Sequence, residues 1–201
     1  MARIQRISAR QVGPYVKLAY FFTRRSLRRL TGRETTERMI EPLQMYAHVP
    51  TLLKGYAKLE QATAKTHHLE KRLHALAELK AATITQCEYC IDMGSQISRQ
   101  WGLSDDELLA LPHYRTSPLF SEQEKLVLDY AVAMSCTPVE VTDDLFAMLR
   151  EHFDDVQLIE LTHCIALENM RGRFNLALGI ESAGFSKEMV CAVATTTDGL
   201  V

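Results

Sequence analysis

The strongest constraint on the fold is punctuation at helical spacing. Ser104-Asp-Asp-Glu107 and Ser121-Glu-Gln-Glu124 each place a serine three residues before a glutamate. In that capping box each side chain satisfies an amide left unpaired at the other's end of a new helix. Pro14 suits a first helical position, and Gly32 a stop after the apolar positions Tyr15, Val16, Ala19, Tyr20, Phe22, Leu27 and Leu30. Further helices are predicted from about Thr36 to Tyr46 (perturbed by Pro42), from Pro50 through Leu59, from Leu69 to Ile84, and from Cys87 to Trp101 with a stop at Gly102. Thr142 opens one to about Phe153, and Asp154 or Asp155 caps a long one ending at Gly179. Ser186 can cap a short last helix through Val190 and Val193. Alternating strand patterns are absent, so the expected fold is all-α with about nine helices.

At 201 residues and 47% hydrophobic content, one compact domain with a sizeable core is expected. The division expected is an N-terminal arm over 1–35 and an all-α domain over 36–201. The net charge of −2 selects no partner, but from Met1 to Gly32 the chain has no acidic residue and carries Arg3, Arg6, Arg10, Lys17, Arg24, Arg25, Arg28 and Arg29. That basic amphipathic helix suits docking on the body or on a second subunit, and an anionic membrane surface is the alternative. No apolar run is long enough to span a membrane, and no cleavable secretory signal is expected. Five cysteines without a framework pattern fit a reducing cytoplasm. No nucleotide fingerprint, metal set or other cofactor motif is found, and nucleic-acid binding is not expected.

Chemistry is concentrated in Cys87-Glu88-Tyr89-Cys90, between two helical stretches. A helix starting near Cys87 puts both sulfurs in its first turn, where unpaired amides favour a thiolate. The spacing suits a redox dithiol; a pair of small core residues and a metal site remain alternatives. Cys136, Cys164 and Cys191 read as packing residues, and His67 and His68 as surface.

Together with the late helix Glu160-Leu-Thr-His-Cys-Ile-Ala-Leu-Glu168-Asn169 and Arg171-Gly-Arg173-Phe174-Asn175, this motif resembles the carboxymuconolactone decarboxylase-like superfamily, most closely its alkyl hydroperoxidase D-type branch. The resemblance runs from about Glu41 to Gly184. It implies self-association into dimers, trimers or hexamers and reduction of a hydroperoxide. Cys90 would be the peroxidatic thiol and Cys87 the resolving one, with an external dithiol or thioredoxin-like protein as reductant. Three members of the usual proton relay are missing. The family's histidine four residues after the second cysteine is Gly94 here, its glutamate twelve before the first is Ala75, and the hydroperoxidase D histidine before the second cysteine is Tyr89.

Glu78, Asp92, Ser95 and Tyr89 are the nearby candidates to replace them. Glu78 can reach the site only if its helix breaks before Cys87, and is otherwise a solvated face. Asp92 can cap the helix or act on Cys90, although its charge disfavours a thiolate. His163 serves as a base only if the late helix packs on the cysteine helix, and is otherwise a core histidine. Glu168 with Arg171 or Arg173 reads as a buried ion pair or subunit contact. A thiol-dependent peroxidase is therefore expected; a redox-sensing or scaffold protein on the same fold, and a lactone decarboxylase, are the alternatives.

Overall fold

The computed structural model describes residues 2–32 and 34–186. Its described residues form nine α-helices and two short 3-10 turns, with no strand. The helices are α1 (Pro14–Thr31), α2 (Glu41–Tyr46), α3 (Pro50–Thr63), α4 (Lys71–Thr85), α5 (Glu88–Gln100), α6 (Asp105–Ala110), α7 (Glu122–Ser135), α8 (Asp143–His152) and α9 (Asp155–Leu178). The helix predicted after Ser186, and Cys191 with it, lie outside the described residues. No helix among the described residues is long and apolar enough to cross a membrane.

Helix α4 is the axis of the fold. Leu73, Ala75, Leu76, Ala77, Leu79, Ala81 and Ala82 are all buried, so it is covered on every side. Its many alanines let neighbours approach closely, and α5, α7 and α9 pack directly on it. Leu73, Ala77 and Ala81 join one core with Val127, Leu149, Phe153, Leu161 and Ile165. Leu76, Leu79 and Ala82 join the other with Val16, Tyr20, Leu53, Tyr89 and Ile91. Each fully buried leucine contributes about 1.5–3 kcal/mol by leaving water.

The two capping boxes do more than start helices. Arg72 on α4 donates from Nε to Glu124 Oε1 at 2.6 Å and from Nη1 to the Gly102 carbonyl at 3.1 Å, and it also pairs through Nη2 with Glu107. One guanidinium thus holds the capping glutamates of α6 and α7 against α4. Asp154 caps α9 by accepting from the Gln157 backbone amide at 2.8 Å, and its own backbone amide donates to Gln157 Oε1 at 3.0 Å. Gly179 ends α9 in the left-handed region, at φ 68°.

The basic helix α1 lies along the body, with Val16, Tyr20 and Leu27 buried. Its Tyr15, Leu18, Phe21 and Phe22 face outward. The apolar positions read as one face in the sequence are therefore divided between two.

Candidate active site

The break that Glu78 needs is present. Helix α4 ends at Thr85, and Gln86 takes the left-handed conformation with φ 57°. The Cys87 amide closes the turn onto the Ala82 carbonyl at 3.2 Å. Cys87 then caps α5, its Sγ accepting from the Cys90 amide at 3.3 Å. Cys87 and Cys90 are joined as a disulfide, with sulfurs 2.24 Å apart. Asn175 on α9 points Nδ2 at both, 3.7 Å from Cys87 Sγ and 3.5 Å from Cys90 Sγ. Gly172, one turn earlier, lets α9 come this close. A Cβ there would stand 2.7 Å from Thr85 Oγ1 and 3.5 Å from the Cys87 Cβ.

The two sulfurs differ in what they face. Cys87 is fully buried. Cys90 lines a cavity of about 520 Å³ between α1, α2, α3, α4, α5 and α9. One wall is an aromatic stack: Tyr46 lies 4.5 Å from the Tyr56 ring and 4.2 Å from the Phe174 ring, nearly parallel to both. The same cavity is lined by a charged group. Arg171 donates from Nε and Nη2 to the two Glu60 oxygens at 2.9 and 2.7 Å, and from Nη1 to Glu78 at 2.8 Å and Glu168 at 3.0 Å. Glu60, Glu78, Glu168 and Arg171 all line the Cys90 cavity.

Arg171 does not treat its carboxylates alike. Burial pushes Glu168 up to about 7; Arg171 opposes this, and the neighbouring charges of Glu78 and Glu60 add to the rise. Burial also raises Glu78, but a hydrogen bond from His74 and the charge of Arg171 overcome it and hold Glu78 down at about 2. Two carboxyls pushed in opposite directions on one guanidinium leave one ionised and the other able to carry a proton near neutrality.

The remaining candidates are bonded elsewhere, although Tyr89 also borders the Cys90 cavity. Asp92 is buried, and its carboxylate accepts from Ser182 Oγ and from the amides of Ala183, Gly184, Phe185 and Ser186, at 2.6–3.0 Å. It clasps the returning chain after α9, which sets Phe185 edge-on against Tyr89 at 5.2 Å. The Tyr89 hydroxyl donates to the Met39 carbonyl at 2.7 Å, and Ser95 donates to the Ile91 carbonyl. His163 bonds Thr63 Oγ1 at 2.8 Å and lines a different hollow, beside Phe146, Leu158 and Thr162. Among the described residues no cluster of His, Cys, Asp and Glu is arranged to hold a metal ion.

Residues 50–133 match the carboxymuconolactone decarboxylase family. The uncharacterized protein YnjA of Escherichia coli is 40% identical over 155 residues, which span 74% of this chain and 82% of YnjA. A protein of unknown function from Agrobacterium tumefaciens, assigned by name to antioxidant defence as an AhpD, superposes with a TM-score of 0.62 at 28% identity over 69% of this chain and 94% of that one. The chain belongs to the carboxymuconolactone decarboxylase-like superfamily, in its alkyl hydroperoxidase D (AhpD) type. The fold is shared more widely. The debrominase Bmp8 superposes with a TM-score of 0.74 at 18% identity, over 91% of this chain and 93% of its own.

Against the AhpD pattern, the departure with the clearest structural consequence is Gly94. It lines the Cys90 cavity, and a Cβ there would meet Leu79 Cδ1 at 3.1 Å. Among the described residues no imidazole stands at this point of the cavity wall, and the acidic side chains that line the cavity come instead from α3, α4 and α9. Glu168, Arg171 and Asn175 carry most of that arrangement. Their signal in the sequence is a polar stripe at i, i+3 and i+7.

Proposed function

We propose that this AhpD-type protein is a thiol-dependent hydroperoxide reductase, with Cys90 as the attacking thiol and Cys87 as the resolving one. The observation that carries the reading is the asymmetry of the pair: Cys90 borders the cavity, whereas Cys87 is sealed beneath it. A substrate entering the cavity meets only one sulfur.

In the reduced protein the Cys90 thiolate attacks the terminal oxygen of the hydroperoxide. The O–O bond breaks, Cys90 becomes a sulfenic acid, and the alkoxide leaves as an alcohol on taking a proton from Glu168. Arg171 holds Glu168 in place, and the ionised Glu78 beside it favours return of the proton. The Cys87 thiolate then attacks the Cys90 sulfenic sulfur, closing the disulfide and releasing water once the hydroxide is protonated. The Cys90 amide and Asn175 Nδ2 stabilise negative charge on Cys87, both in this step and when it departs during reduction. An external dithiol attacks Cys90 through the cavity, displaces Cys87 as thiolate, and restores both thiols while becoming a disulfide itself.

The test is consumption of cumene hydroperoxide by purified protein with dithiothreitol. Wild type should turn over repeatedly and Cys90→Ser not at all, while reduced Cys87→Ser freed of dithiothreitol should consume about one equivalent and stop. Turnover that survives Cys90→Ser overturns the proposal.

A further inference from the structure

The cavity beside Cys90 carries information about what can reach the sulfur. Its volume of about 520 Å³ falls in the range of sites for organic ligands and far exceeds the needs of hydrogen peroxide. Most of the wall is apolar, including Leu27, Ile40, Leu43, Met93 and Ile97 with the aromatic stack. Among the described residues lining it, Arg171 is the single basic side chain, and it faces the carboxyl groups of Glu60, Glu78 and Glu168. The guanidinium is already engaged by all three. Of the α1 arginines next to its cavity-lining residues, Arg24 pairs with Glu37 and Arg28 with Glu34 at 2.5 Å each, while Arg25 is exposed.

An anionic group brought to Cys90 therefore loses its water in an apolar space, meets an excess of carboxylate, and finds the one cation in the wall occupied. Each of these disfavours a charged carboxylate. An uncharged molecule of similar size meets none of them.

We infer that the Cys90 cavity selects its substrate by charge, accepting bulky uncharged organic hydroperoxides and rejecting those that bear a carboxylate, such as fatty-acid hydroperoxides. This rests on the peroxidase reading for the word hydroperoxide, but the charge selection itself belongs to the cavity.

The first measurement needs no peroxidase activity. Reduced protein is alkylated with neutral iodoacetamide or anionic iodoacetate, and the rate at Cys90 is followed by peptide mass. The iodoacetate-to-iodoacetamide ratio at Cys90 should be at least about tenfold below that of glutathione under the same conditions. Glu60→Gln should raise the ratio severalfold. Glu60 is partly solvated, and the wild-type ratio stands without the variant. A wild-type ratio equal to that of glutathione overturns the inference.

The second measurement compares linoleic acid hydroperoxide with its methyl ester in steady-state turnover. The acid should show a kcat/KM at least about tenfold lower, expressed mainly in KM. Equal values overturn the charge selection. If no hydroperoxide is turned over, the peroxidase reading fails, while the alkylation ratio still decides whether the cavity excludes anions.

Discussion

Asp92→Asn should loosen the segment after α9 while leaving the cysteine chemistry intact. The carboxylate accepts five hydrogen bonds from residues 182–186, at 2.6–3.0 Å. Asparagine keeps one acceptor oxygen and replaces the other with a donor. Placed most favourably, its amide nitrogen faces the Ser186 amide, which loses its acceptor, while the four bonds to Oδ2 lose their charge assistance. A bond to a charged group is worth about 1 kcal/mol more than a neutral one, so four weakened bonds and one donor facing a donor cost roughly 4 kcal/mol after allowance for non-additivity. For a chain of this length each kcal/mol moves Tm by about 2–4 °C, which gives a fall of roughly 10 °C. Circular dichroism reads the global transition, and limited proteolysis reads release of residues 182–186, which carry the buried Ala183 and Phe185. A variant with unchanged Tm and unchanged protease resistance refutes the reasoning. So does a folded variant whose Cys90 reactivity has dropped a hundredfold, because that would give Asp92 a direct role in the chemistry.

Glu168→Gln should lower hydroperoxide turnover by about 10²–10³-fold and remove the alkaline limb near pH 7 from the kcat profile, measured with cumene hydroperoxide. Folded Glu168 keeps its proton to a higher pH than an unfolded glutamate, so its contribution to stability is present below the ordinary carboxylate range and lost as pH rises to about 7. Denaturant melts from pH 5 to 8 should show that decline in wild type and a flatter line in Glu168→Gln. Gly172→Ala drives a methyl against Thr85, whose hydroxyl is already bonded to the Ala81 and Ala82 carbonyls. Overpacking of about 1–3 kcal/mol should exceed the gain of up to about 1 kcal/mol in helix propensity, so chemical denaturation should show a net loss. Asn175→Ala removes the neutral donor beside both sulfurs and should raise the pKa of the Cys87 thiol in reduced protein, read from thiolate ultraviolet absorbance across a pH titration in the Cys90→Ser background.

What could be read from the sequence was local. Both capping boxes, Pro14 and Gly32 around α1, and Asp154 at the head of α9 involve residues a turn or less apart, and the structure has them where the spacing predicts. The break before Cys87 was legible only as a condition, because a left-handed Gln86 has no strong sequence signature. Asp92 was beyond reach: its partners return from the far end of the chain, and nothing near it in sequence indicates a clasp. His163 and Glu168 make the same point on one helix. A histidine is the natural base to look for, but the rotation of α9 over α4 turns it to Thr63 and brings Glu168, Arg171 and Asn175 to the cavity. The stripe was visible; which neighbour it would face depends on packing that no single segment specifies.

The most direct test of the account is to trap the first oxidation product. Reduced Cys87→Ser protein is treated with one equivalent of cumene hydroperoxide in the presence of dimedone and digested for mass spectrometry. The account predicts a dimedone adduct on Cys90, formed in step with hydroperoxide loss and absent from Cys136 and Cys164. Unmodified Cys90 with the hydroperoxide intact, or an adduct at another cysteine, would contradict it.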